Sequence, residues 1–128
     1  MNANELRIGN YVIDSKDYKL LLLSISQKGN CSGYFPELND YGTEEINLLK
    51  PIPLTEEWLM KFRFEKRGGC YFSDIPYKND CWINFSFVIA IWDDGRLFYD
   101  WNGGNSQLNY VHQLQNLYFA LTGEELTL

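Results

Sequence analysis

The residues best suited to nucleophilic or metal chemistry are one histidine, His112, and three cysteines, Cys31, Cys70 and Cys81. A cysteine–histidine pair needs a thiol of lowered pKa beside the imidazole, and a structural zinc site needs closely spaced ligands. The wide spacing of these residues matches neither pattern, and three cysteines without a C-x-x-C motif argue against a disulfide framework. We therefore expect reduced thiols, a histidine at a helix surface or cap, no catalytic residue and no metal.

Carboxylates and glycines could also form a calcium site or a phosphate-binding loop, but the residues around them in the sequence indicate turns. Asp93 and Asp94 precede Gly95 without the ligand pattern of a calcium loop. The pairs Gly68–Gly69 and Gly103–Gly104 have no lysine of a phosphate-binding loop after them. We expect no bound cofactor.

A basic segment is the second candidate site. Its four bases, Lys61, Arg63, Lys66 and Arg67, lie among aromatic residues in a chain that is acidic elsewhere. Cations at the end of a helix complement the helix dipole, so a solvated helix end explains the segment without any ligand. As an alternative function, the same residues would form a ligand-binding or nucleotide-binding site, with the rings available for stacking.

Two helices can be placed from the sequence. The first is predicted over Thr55 to Phe62, where Thr55 can accept from the first-turn amides and Glu56 and Glu57 complement the dipole. The second is predicted over Tyr110 to Leu121, with an apolar stripe on one face. Gly123 can adopt the left-handed conformation that ends it.

Strands are predicted by apolar runs and alternation between turn signals. A first strand is expected over Tyr11 to Ile13 and a buried one over Tyr18 to Ser26, with short strands near Tyr34, Ile46 to Leu49 and Cys70 to Phe72. The strongest pattern predicts a hairpin over Trp82 to Trp101. In that hairpin an eleven-residue strand reaches a two-residue turn at Asp94–Gly95, and Ile91 faces Phe98.

These elements predict a single α+β domain over residues 1–128. We expect a mostly antiparallel sheet of five or six strands with the two helices on one face. An SH3-like small barrel in the first half of the chain is the alternative.

The aromatic content is high, because 4 Trp, 9 Tyr and 8 Phe make up 16% of the 128 residues. Rings are favoured at strands and at protein interfaces. If the interior cannot hold all of them, some must face solvent as interface anchors. The predicted protein-binding anchors come from Trp58, Trp82, Trp92 and Trp101.

The net charge of −6 limits the kinds of binding partner that we expect. Such a field repels phosphates and anionic lipid, which disfavours general nucleic-acid binding. No apolar run approaches the ~20 residues of a membrane span, and the first residues lack the pattern of a secretory signal. We expect a cytoplasmic protein that makes no membrane contact.

Three stretches carry a resemblance: NELRIGNYV from Asn4, PIPLTEEWLMKFRF from Pro51 and YVHQLQNLYFALTGEEL from Tyr110. Together they resemble a family of short uncharacterised proteins encoded by Bacteroides-group bacteria and by their phages and prophages. They cover about 40 residues, of which the last stretch is the most specific. The family pattern has glycine where Arg63 stands here. The resemblance implies an accessory protein of a mobile element and no particular catalytic residue.

The sequence thus favours a non-enzymatic protein-binding accessory protein of a phage or mobile element. Its partner would be a host or phage protein, such as a nucleic-acid-processing enzyme with a basic cleft that an acidic surface can occupy. The concrete version is an inhibitor of a host defence nuclease, as anti-CRISPR proteins are.

Overall fold

The computed structural model describes residues 1–72, 75–84, 87–92, 94–101 and 104–128. Side chains are described at all of these positions except 69–72, 75–80, 100, 101, 104 and 105. The described residues form two antiparallel sheets and two α-helices, which confirms the predicted α+β class. The strands number nine in these ranges and are divided between two sheets, where five or six in one sheet were expected.

The strands are β1 Tyr11–Ile13, β2 Lys19–Ile25, β3 Asn30–Phe35, β4 Asp40–Glu45, β5 Glu65–Phe72, β6 Ile75–Asn84, β7 Phe87–Ile91, β8 Leu97–Trp101 and β9 Gly104–Gln107. The helices are α1 Glu56–Lys61 and α2 Val111–Thr122, with 3-10 turns at Ala3–Glu5 and Ile46–Leu48.

Backbone contacts divide the chain into two compact units. Unit 1 consists of Met1–Pro53 and Tyr110–Thr127, and unit 2 of Leu54–Asn109 with Leu128. Unit 1 therefore contains β1 to β4 and α2, and unit 2 contains α1 and β5 to β9. The single domain remains a prediction.

Unit 1 is built on a meander in which β1 to β4 pair in chain order. Its core is formed by Leu6, Val12, Leu20, Leu22, Cys31, Phe35, Ile46 and Leu49. Alternation places Leu20 and Leu22 in this core, since successive side chains of a strand point to opposite faces. After the second 3-10 turn, Lys50 bridges back to Ile13 and adds a pairing beside β1. The SH3-like alternative stays a prediction.

Helix α2 is fastened to the first residues of the chain by buried amide side chains. Gln115 is fully buried, accepts from the Tyr11 amide at 2.9 Å and donates to the Gly9 carbonyl at 2.9 Å. The side-chain amide of buried Asn10 donates to Asn116 at 2.8 Å. Because buried polar groups are costly unless bonded, these pairs fix how the helix meets its neighbours.

Unit 2 packs α1 and the sheet of β5 to β9 around aromatic residues. Phe62 and Phe64 are almost fully buried, and the ring of Phe64 meets that of Phe87 edge-on at 6.1 Å between centroids. Phe87 in turn stacks on Tyr99 at 4.5 Å. Offset and edge-on ring pairs add stability beyond the area they bury, so the rings have a structural role here.

The predicted hairpin over Trp82 to Trp101 is wrong in two respects. The long strand is divided into β6 and β7, which pair with each other in antiparallel fashion up to Asn84 and Phe87. Phe85 and Ser86, between them, lie outside the described residues. The second loop has three residues rather than two, because the Trp92 amide donates to the Arg96 carbonyl and Ile91 pairs with Leu97.

Gly95, at φ +87°, supplies the left-handed residue that a three-residue hairpin loop requires. This longer loop shifts the register by one residue from the predicted pairing of Ile91 with Phe98.

Both helices lie close to their predicted positions. The Thr55 side chain makes no capping hydrogen bond, which corrects its expected role, whereas Gly123 ends α2 at φ +74° as predicted. The segment at Ile46 to Leu49, expected as a strand, begins with a 3-10 turn.

Candidate protein-binding surface

The predicted tryptophan anchors are not a set of exposed rings. Trp58 and Trp82 are only 7% and 5% exposed, so both are corrected from candidate anchors to core residues. The Trp82 indole donates to the Glu56 carboxylate at 2.9 Å, and this bond lowers the pKa of Glu56. Burial of both rings follows from the small size of unit 2, where a two-turn helix needs large side chains to form a core.

Of the other two tryptophans, the structure describes the side chain of Trp92 but not that of Trp101. Trp92 is half-buried, with its ring 4.9 Å from that of Phe98 and the Arg96 guanidinium 5.4 Å from its centroid. The side chain of Trp101 lies outside the described residues. Trp92 therefore remains the only one of the four whose described ring reaches solvent, and it does so between two neighbours.

The basic segment is largely neutralised by its own acids. Lys61 lies 3.6 Å from Glu57, and Lys66 lies 3.1 Å from Glu56. Arg67 lies 4.0 Å from Glu65. Four bases against three acids leave +1 over residues 56–67. This is the ion-paired helix end that the dipole argument describes, and it offers little field for a phosphate.

Arg63 differs from its basic neighbours in its backbone. It follows the C-cap of α1 at φ +68°, in the left-handed region that favours glycine. Its amide donates to Met60 at 3.0 Å, and the next amide, of Phe64, donates to Leu59 at 3.0 Å. These two bonds form a Schellman motif, so the position serves to end the helix.

The histidine and the cysteines do not form a reactive centre within the described part of the chain. His112 is 4% exposed and stacks on Tyr110, and its Nδ1 has no hydrogen-bond partner among the described atoms. It is therefore buried, which corrects the expected surface position. Burial raises the pKa of the Cys31 thiol, which is the opposite of nucleophile activation.

Cys81 is disulfide-bonded and fully buried. This corrects the prediction that all three cysteines are reduced. The side chain of Cys70 lies outside the described residues. Over the ranges that the structure describes, no cluster of three or more metal-ligating side chains occurs.

The hairpin formed by β3 and β4 concentrates negative charge. Residues 29–49 contain no base and four acids, namely Glu37, Asp40, Glu44 and Glu45. Unlike the acids of α1, these four form no ion pair with any base that the structure describes. We call residues 37–45, the loop and β4 together, the acidic edge.

The outer side of the acidic edge is a free strand edge. The Ile46 amide donates to the Gly29 carbonyl at 2.9 Å, and bonded and non-bonded pairs alternate along an antiparallel ladder. Because Gly29 and Ile46 form a hydrogen-bonded pair, the next pair, Asn30 with Glu45, is non-bonded, and the two kinds of pair alternate from there. The non-bonded residues of β4 are Tyr41, Thr43 and Glu45, so their backbone N–H and C=O groups point away from β3. Within the described ranges β4 pairs with β3 alone.

Carboxylates occupy two of the three outward amides. The Tyr41 amide donates to Asp40 at 2.8 Å, and the Glu45 amide donates to Glu44 at 3.0 Å. The second bond lowers the pKa of Glu44, as do a hydrogen bond from the Ser15 hydroxyl and the nearby charge of Lys16. Among the described residues, the edge therefore presents outward carbonyls and carboxylates, and the Thr43 amide as its one unoccupied outward backbone donor.

An exposed tyrosine lies on this edge. Tyr41 is 71% exposed, the highest exposure of any large hydrophobic or aromatic residue described. It faces Tyr34 across the ladder, with the rings 5.1 Å apart, and Tyr34 in turn faces Leu21. The result is a short apolar row that ends at the edge, on the strand face that also carries Glu45 and opposite the face of Asp40 and Glu44.

The sequence analysis missed this surface because it placed only short strands near Tyr34 and Ile46 to Leu49 in this part of the chain and did not pair them. A signal was present, since the absence of any base over 21 residues can be read directly from residues 29–49. The pairing of β4, with glycine and polar residues, depends on contacts with β3 and leaves no strong pattern in the sequence.

Comparison with known proteins gives no significant match to a protein-family model, a curated protein or a solved structure. Among the described residues, no helix is both long enough and apolar enough to cross a membrane.

Proposed function

We propose that this chain is a non-enzymatic protein-binding accessory protein, and that the acidic edge is its binding surface. The observation that carries the proposal is the combination of four acids that form no salt bridge to a described base with one strongly exposed tyrosine, on a sheet edge that pairs with no further described strand. Interfaces commonly combine an aromatic anchor with a charged rim that steers the partner into place.

The genetic setting belongs to the same proposal. The resemblance of the three stretches supports an accessory protein of a phage or other mobile element that acts in the cytoplasm. The partner is a host or phage protein with a basic surface, and inhibition of a host defence nuclease is the specific form we propose. An acidic surface that occupies a cleft used for nucleic acid would block that enzyme by competition.

The ligand-binding alternative at Lys61, Arg63, Lys66 and Arg67 has less support. Three of these bases have acidic partners within 4.0 Å, so a bound phosphate would compete with ion pairs already formed.

A pair of charge-matched variants tests the proposal. The edge variant carries Asp40→Asn and Glu44→Gln, which keep a side-chain acceptor for each amide, and the control variant carries Glu5→Gln and Glu124→Gln in the same unit. Both change the net charge from −6 to −4. The tagged wild type is used to capture a partner from a Bacteroides-group lysate, and each variant is then titrated against the purified partner.

We expect the control to bind like the wild type and the edge variant to bind at least about tenfold more weakly. A partner nuclease should lose activity in proportion to wild-type chain added, up to a fixed ratio. Equal binding by the edge variant and the wild type would contradict the proposal.

A further inference from the structure

The free edge of β4 differs from an edge suited to strand addition. In strand addition, a partner's backbone exchanges hydrogen bonds with alternate amides and carbonyls of the edge strand. Here the amides of Tyr41 and Glu45 already donate to carboxylates of their own strand. A ladder over the edge would need to displace both carboxylates.

The same contacts make the edge rich in acceptors. The outward carbonyls of Tyr41 and Thr43 lie along the same strand as the carboxylates of Asp40 and Glu44, which occupy two amides of that edge. The Glu45 carbonyl is excluded, because Glu45 is the N-cap of the following 3-10 turn and its carbonyl accepts the first bond of that turn. A partner that satisfies such an edge must bring several donors and positive charge together. The arginine side chain does so, because its planar guanidinium carries five N–H donors and no acceptor.

The exposed Tyr41 ring adds a preference for arginine over lysine. A guanidinium stacks on an aromatic face while still donating in its own plane, whereas an ammonium is a compact and strongly hydrated charge. Tyr41 is 71% exposed, and its ring is backed by Tyr34. A guanidinium stacked on this ring would lie on the strand face that also carries Glu45, next to the outward carbonyl of Tyr41.

We infer that the acidic edge recognises an arginine-rich segment of a partner protein through its side chains, without adding a strand to the sheet. This inference rests on the proposed function and specifies the partner's chemistry. A single-sign edge also repels a second copy of this chain, which limits self-pairing of the sheet.

Short labelled peptides test the inference on the wild-type chain by fluorescence anisotropy. The probes are (Arg-Ala)4, (Lys-Ala)4 and an (Arg-Pro)4 whose arginine amides are N-methylated, and all three have equal charge. Proline and N-methylation together remove the backbone donors from both edges of the peptide, so this (Arg-Pro)4 cannot form a ladder but still offers guanidinium groups. We expect the two arginine peptides to bind within about threefold of each other and the lysine peptide about tenfold more weakly.

Variants then locate the contact. Tyr41→Ala should bind the arginine peptides about fivefold more weakly than the wild type, and the edge variant about tenfold more weakly. The control variant should bind them with unchanged affinity. Circular dichroism confirms that each variant is folded.

Four results would overturn the inference: no binding of the arginine peptides, equal affinity for the arginine and lysine peptides, loss of binding by (Arg-Pro)4 alone, or full binding by the edge variant. If the arginine peptides do not bind the wild-type chain but the edge variant still binds the captured partner more weakly, only this inference is contradicted. If the edge variant retains the captured partner, the proposed function falls as well.

Discussion

At the scale of single residues, backbone conformation explains Arg63 better than its charge does. Its left-handed φ of +68° ends α1, and a side chain in that region costs about 1 to 2 kcal/mol. The sequence alone identified the charge but not this role, because left-handed geometry is set by the Schellman bonds that follow the helix.

Arg63→Gly should therefore stabilise the protein by about 0.5 to 1 kcal/mol, after the greater freedom of glycine in the unfolded chain is subtracted. The reciprocal control is Gly123→Arg. Gly123 has φ +74° and open space around it, so this change should destabilise by a similar amount through backbone strain alone. Urea unfolding midpoints measure both. A lower midpoint for Arg63→Gly would show that the arginine side chain makes a stabilising contact.

His112 is the residue that should make stability depend on pH near neutrality. Burial lowers the pKa of His112, and the charge of Glu5 only partly opposes this effect. As the pH falls below about 6.5, the unfolded chain takes up a proton that the folded chain does not. Stability should then fall by up to about 1.4 kcal/mol per pH unit until the pKa of the folded state is reached.

His112→Gln should flatten this dependence between pH 7.5 and 5.5, as measured by urea unfolding at each pH. An unchanged slope in the variant would mean that His112 does not cause the acid sensitivity. Below this range the carboxylates begin to titrate and also contribute, so the comparison stays above it.

At the scale of elements, sequence patterns predicted what depends on local composition. Strand β1, most of β2, and α2 with its glycine cap were predicted because apolar spacing and turn residues specify them. The pairing of β3 with β4 and the loop before Arg96 were missed because they depend on cross-strand contacts. The acidic edge was missed for the same reason, since its geometry exists only once β4 pairs.

The close approach of β2 and β3 requires one particular glycine. A Cβ atom on Gly33 would lie 2.0 Å from the Leu21 carbonyl oxygen, beside the register shift between Leu22 and Ser24. Because the obstructing atom belongs to the backbone, Gly33→Ala should cost at least about 3 kcal/mol.

The control is Gly42→Ala, at the position paired with Gly33. There the nearest atom, 2.9 Å away, belongs to the Phe35 ring, which can shift, so we expect a loss of about 1 kcal/mol. Thermal unfolding followed by far-ultraviolet circular dichroism compares the two variants. Equal losses would contradict the steric role of Gly33.

At the scale of the whole molecule, the aromatic residues have a different role from the one their number suggested. Of the rings whose exposure is described, only Tyr41 and Phe119 are exposed. The others are buried or half-buried within the two units, where ring pairs such as Phe64–Phe87 and Phe87–Tyr99 contribute to packing. The distribution of charge, rather than a surplus of rings, therefore identifies the candidate surface.

The disulfide at Cys81 gives a prediction for the molecule as a whole. A disulfide takes two of the three cysteines and leaves Cys31 free, so the denatured chain without reductant should titrate one thiol, and three after reduction. Quantitative thiol labelling with mass spectrometry measures this. Three thiols before reduction, in protein purified under oxidising conditions, would contradict the bond.

The titration also bears on location, because lasting disulfides are rare in a reducing cytosol. The same labelling, applied to cells before lysis, measures the state of the cysteines where the protein acts.

The central claim is that the acidic edge contacts the protein partner, and hydrogen exchange of the chain with and without its captured partner tests it most directly. The outward Thr43 amide has no acceptor among the described residues, so this amide should exchange readily in the free chain. We predict that the partner slows exchange over residues 37–45 and leaves residues 56–67 unchanged. Slowed exchange over residues 56–67, with residues 37–45 unchanged, would contradict the claim and favour the basic segment.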